Sequence, residues 1–173
     1  MPYDPEKHHR RSIRIPGYDY SQNGCYYVTI CVQNREWMFG DVMDGKMKLN
    51  EYGKIVAENW TEIRYHFDHI ELDKYIIMPN HMHSVIIIND ENRKGEITSP
   101  LQEIKNYPTL GQIIAYFKYQ SSKHINQLRN SPGAKLWQRN YYEHVIRDDK
   151  DLYRIRQYII NNPLSWAGDT YYD

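Results

Sequence analysis

The connection between two apolar stretches constrains this chain more than any other feature. Ile70–Met78 and Met82–Asn89 are separated by little more than Pro79-Asn80. Two strands joined so tightly lie antiparallel, because a parallel crossover needs a dozen or more residues. The segments on either side decide what kind of sheet this pair belongs to. Residues 24–34 are rich in β-branched and aromatic residues and read as a strand. Residues 37–49 hold two short apolar stretches around Met43-Asp-Gly-Lys46, a hairpin signal. Asn50 is placed to cap a helix over 51–66, where Ile55, Val56, Trp60 and Ile63 recur at helical spacing.

Residues 90–108 are polar and without periodicity, which predicts a long, mobile loop. Thr109 caps a second helix whose inward stripe is Leu110, Ile113, Ile114, Phe117, Ser121, Ile125 and Leu128. Ser131-Pro-Gly133 breaks the chain, 136–146 reads as a strand, and 148–162 reads as a helix stopped by Pro163. With the hairpin set aside, the order is βαββαβ. That is an α+β, ferredoxin-like (RRM-like) antiparallel sheet, with helices on one face and an extra C-terminal helix. The other face is left for a ligand or partner. Such a fold hosts many functions, so the side chains must decide.

A chain of 173 residues can bury one core. The expected division is a basic arm over 1–16, one domain over 17–166 and a tail over 167–173. The 22 Lys and Arg balance 22 Asp and Glu, which argues mildly against a generic nucleic-acid binder. Distribution matters more: Lys7, Arg10, Arg11 and Arg14 gather in the arm, as phosphate-binding cations or as a solvated segment. No apolar run is long enough to span a bilayer, the first fifteen residues have no apolar core, and nothing suggests a disulfide framework. These features predict a cytoplasmic protein with no membrane partner.

His81 and His83 are two apart, so on a strand both imidazoles project from one face. Such a pair can chelate a divalent metal or be merely structural. Tyr158 and Asn162 are four apart, on the flank of the last helix beside its apolar stripe of Leu152, Ile155 and Ile159. If that helix packs on the His face, a phenol and an amide oxygen join the imidazoles. If not, Asn161-Asn162-Pro163 is a helix stop and Tyr158 a rim packing residue. Spacing leaves both readings open. His144 reads as structural, and Tyr171 and Tyr172 fall in a terminus expected to fray.

Met78-Pro-Asn-His-Met-His83 resembles the HUH signature of single-tyrosine transposases. The segment Trp137-Gln138, Tyr142-Glu143-His144, Ile146-Arg147, Leu152 and Tyr158 through Asn162-Pro163 resembles that of the REP-associated tyrosine transposases. The resemblance runs from Gly17 to Trp166, and its two halves match in order. It implies His81, His83 and Asn162 as ligands of Mg²⁺ or Mn²⁺, and Tyr158 as nucleophile. The activity it implies is cleavage and transfer of single-stranded or hairpin DNA through a 5′-phosphotyrosine. Lys7, Arg10, Arg11 and Arg14 would then contact DNA. The chain is expected to be a monomer or weak homodimer associated with the nucleoid. Asn162 stands where relatives within insertion sequences often carry Gln, a departure that points to the REP-associated branch. Two other readings are a non-catalytic RRM-like nucleic-acid-binding module and a metal-dependent hydrolase of small phosphoesters.

Overall fold

The computed structural model describes residues 14–89 and 107–172. Lys7, Arg10 and Arg11 lie outside them, as does most of the expected loop. In chain order the elements are β1 (Gly24–Cys31), the hairpin β2 (Gly40–Met43) and β3 (Lys46–Leu49), α1 (Glu51–His66), β4 (Ile70–Ile77), β5 (His81–Ile88), α2 (Leu110–Leu128), β6 (Tyr142–Ile146) and α3 (Asp149–Asn161). A four-stranded antiparallel sheet runs β4-β5-β1-β6, so the fold is mixed α/β with three helices. Among the described residues no helix is long and apolar enough to cross a membrane.

Asn50 caps α1 by accepting from the Gly53 amide. Thr109 and Gln112 form a reciprocal capping box at the start of α2. Both helices pack on one sheet face, where Val56, Trp60, Ile113 and Phe117 meet Val28, Ile30, Met82 and Ile86. The odd-numbered residues of β1 and β5 therefore point to the other face. That face is not left open. Tyr27, Val85 and Ile146 make it apolar enough to need cover, and Ile155 and Ile159 of α3 supply it. Arg156 holds α3 to β4 through Asp73 at 2.7 Å, and Asp151 holds its first turn to His144 of β6 at 2.6 Å.

Several boundaries differ from the sequence reading. Strand β6 begins at Tyr142 rather than at 136. Lys118 donates to the carbonyls of Gln138, Arg139 and Asn140 at 2.9, 3.4 and 3.0 Å. Successive carbonyls of a strand alternate in direction and could not converge on one ammonium. Strand β1 stops at Cys31, because Asn34 and Arg35 turn the chain with φ of 56° each. Leu128, at the last turn of α2, is 42% exposed, and Asn126 is buried instead, donating to the Ala134 carbonyl. Pro163 does not end the C-terminal helical segment; it opens a 3-10 helix over Asn162–Gly168, an N-terminal position where its missing N–H costs nothing.

Candidate metal and tyrosine site

His81 and His83 lie opposite Cys31 and Thr29 of β1 and share the α3 face of the sheet. Their Nε2 atoms are 3.0 Å apart. Neighbouring ligands about 2.1 Å from an octahedral cation are also about 3.0 Å apart, so the pair is spaced to hold one ion. Asn80 Oδ1 accepts from His81 Nδ1 at 2.8 Å. The orientation of that amide is fixed, since its Nδ2 donates to the carbonyls of Arg35 and Tyr171 at 3.2 and 2.6 Å. His81 therefore carries its proton on Nδ1 and turns a lone pair inward. His83 Nδ1 meets the hydroxyls of Tyr27 and Thr29, each at 2.8 Å.

Both imidazoles are fully buried, at 0% and 1% exposure. The cover comes from residues beyond the helix: the Tyr171 ring sits 4.5 Å from that of His81, and Trp166 sits 5.9 Å from it. Burial drives the His81 pKa down to about 3 and holds that of His83 well below the ordinary histidine value. Neutral imidazoles are what a cation requires.

Helix α3 brings Tyr158 to this pair, and Asn162, its C-cap, bonds to Asp169 beside it. The Tyr158 ring is 5.2 Å from the His83 ring and 6.4 Å from that of Tyr27, and the side chain remains 44% exposed. Asn162 is 1% exposed; its Nδ2 donates to Asp169 Oδ2 at 2.9 Å, and its Oδ1 is buried without a partner. An unpartnered amide oxygen in the interior calls for an explanation, and a cation is one. Burial raises the Tyr158 pKa and the Asp169 carboxylate adds to the rise, while the Asn162 amide opposes it. The phenol is thus held in its protonated form.

Asp169 was not found from the sequence. Its carboxylate lies with the two histidine nitrogens in a group whose ligand atoms are all within 4.8 Å of one another, so a His-His-Asp cluster can hold a metal ion. It sits in an aperiodic segment, and Asp-Thr-Tyr carries no signal of ligation. Tyr171, expected to fray, is anchored: its amide donates to Asp169 Oδ1 at 2.8 Å, and burial pushes its phenol up to about 12. Arg14 lies away from the histidines, donating to the Tyr141 hydroxyl at 3.2 Å and facing Glu143 at 3.8 Å, with its side chain 53% exposed. His144 pairs with Asp151 at 2.6 Å, a structural role.

No family model matches the chain. An uncharacterised protein of Haemophilus influenzae is 40% identical over 177 residues, covering 98% of this chain and 97% of that one. A second protein of the same organism, provisionally named a REP-associated tyrosine transposase, is 28% identical over 152 residues, covering 84% of this chain and 73% of the relative. A solved REP-associated tyrosine transposase bound to a REP hairpin superposes with a TM-score of 0.58 over 88% of this chain and 73% of that chain. At 16% identity this last likeness is one of fold. The chain is thus similar to the REP-associated tyrosine transposases, in sequence along most of its length and in fold.

Proposed function

We propose that the protein cleaves and rejoins single-stranded DNA beside a hairpin, with Tyr158 as nucleophile and Mg²⁺ or Mn²⁺ held by His81, His83 and Asn162. The observation that carries this reading is the Tyr158 ring 5.2 Å from the His83 ring of the same chain, with the buried Asn162 amide bonded to the Asp169 carboxylate that joins the two histidines. Asp169 is placed to add a carboxylate, either directly or through its hydrogen bond with Asn162. A bound dication supplies charge neutralisation at the phosphate and favours the phenolate. Tyr158 needs that help, because its own surroundings hold the proton on.

Tyr158 Oη bonds to phosphorus as the P–O3′ bond breaks. The phenolic proton leaves to solvent and O3′ takes up another. The products are a 5′-phosphotyrosine and a free 3′-OH, and a second 3′-OH reverses the step without an energy source. One chain carries the whole set, so a monomer suffices. Lys7, Arg10, Arg11 and Arg14 are assigned to phosphates, where they add affinity rather than chemistry. The sheet order, with α1 and α2 on one face, supports a ferredoxin-like core that carries β2–β3 as an insertion and α3 as an addition. The hairpin-bound relative of the same fold supports hairpin DNA as substrate. An RRM-like binder needs an open sheet face, and here α3 lies across it.

The test is incubation with labelled DNA carrying a hairpin and a single-stranded flank, in Mn²⁺, followed by denaturation. An adduct with the wild type and none with Tyr158→Phe is expected, with hairpin affinity unchanged. Turnover of the flank without any adduct would favour the hydrolase reading instead.

A further inference from the structure

We infer that the groove between the C-terminal half of α2 and residues 132–139 seats the phosphate backbone of a DNA duplex, the stem of the hairpin; this rests on the DNA-processing role proposed above. The groove has a volume of about 810 Å³ and is lined by Lys118, Lys123, Lys135 and Arg139, with no Asp or Glu. In a chain whose charges cancel, four cations without an anion are a local field, and it attracts a polyanion.

The four are not equivalent. Lys118 is bound to three backbone carbonyls and fixes the shape of the wall. Lys123, Lys135 and Arg139 are exposed, as is Tyr119. Lys123 and Gln127 are four residues apart, about 6 Å along one flank of the helix. Phosphates on one strand recur about every 3.4 Å of duplex axis, so one flank of α2 spans about two of them. Asn130 adds a neutral donor on the same flank, and Ser122 lines the groove beside it. Lysines and amides on an open groove position a backbone and do not read base edges.

The groove adjoins the end of β1. Its wall is continuous with the end of β1: Trp137 bridges to Val32, and the Gln138 amide donates to the Cys31 carbonyl at 2.9 Å. Cys31 lies directly opposite His81. A single strand leaving a stem seated here would have to pass the edge of the sheet to reach the His pair on the α3 face.

The experiment measures the full chain and its Lys123→Glu/Lys135→Glu/Arg139→Glu variant against a fluorescent DNA hairpin with a stem of about ten base pairs, at several salt concentrations. All three side chains are on the surface, so the thermal midpoint should hold. Hairpin affinity should fall about 100-fold at moderate salt, and the salt slope by about 0.9 for each cation removed. Mn²⁺ affinity and adduct yield on saturating stemless single strands should not change. Unchanged hairpin affinity and slope would overturn the proposal, as would an equal loss on the stemless strand. A wild type that binds the hairpin through the groove yet never forms an adduct would sink the proposed chemistry and leave the groove standing.

Discussion

The two imidazoles are held by different devices, and the difference has consequences. Asn80 is an acceptor toward His81 and leaves that ring one tautomer. Tyr27 and Thr29 are hydroxyls that can accept or donate, so His83 can carry its proton on either nitrogen. A proton on His83 Nε2 satisfies the 3.0 Å contact with His81; to ligate a cation through Nε2, His83 would carry its proton on Nδ1 instead. Asn80→Ala removes the one fixed anchor. It should weaken Mn²⁺ binding by about 10- to 100-fold in calorimetric titration, the usual size of an outer hydrogen bond to a ligand. Unchanged affinity would show that packing alone orients His81. Asp169→Asn should also weaken Mn²⁺ binding, since it keeps the shape and removes the charge; equal affinity would exclude the carboxylate from the cation's surroundings. What the sequence revealed at this scale follows from periodicity. A spacing of two on a strand and of four on a helix aligned His81 with His83 and Tyr158 with Asn162. Asp169 and Tyr171 belong to no repeat, and only tertiary contact brings them in.

Elements were legible where local chemistry dictated them. Asp44 and Gly45 turn the hairpin with φ of 53° and 67°, as an Asp-Gly pair is suited to do. Thr109 starts α2 with a side chain that accepts from the Gln112 amide. Thr109→Ala should cost about 1 kcal/mol in urea unfolding, with the m-value unchanged; no loss would mean that α2 is set by packing alone. The stretch before β6 departs from a strand although Leu136, Trp137 and Tyr141 look strand-like one by one. Their conformation is set from outside the segment: the Lys118 ammonium gathers three carbonyls, and Trp137 Nε1 donates to Ser121 at 2.9 Å. Neither partner is near in sequence, so no local pattern could announce them.

For the whole molecule, a buried neutral His pair ties stability to pH. The His81 pKa is about 3 in the fold against 6.5 in an open chain. Between those values the unfolded state binds the extra proton, so stability is fully present above about 6.5 and is lost as pH falls toward 3. His83 acts in the same direction. The melting temperature should therefore fall steadily as pH drops from 7 to 4, and less steeply in His81→Ala. Equal slopes would remove His81 from the account. Mn²⁺ at pH 7 should raise the midpoint, because the ion binds only the folded pair. In the proposed chemistry the tyrosine that reacts is the one α3 brings to the histidines. Proteolysis and mass spectrometry of the covalent DNA adduct locate it directly. The nucleotide remnant is expected on the peptide containing Tyr158, as a 5′-phosphate ester. A remnant on Tyr171, whose ring lies 4.5 Å from that of His81, would contradict it.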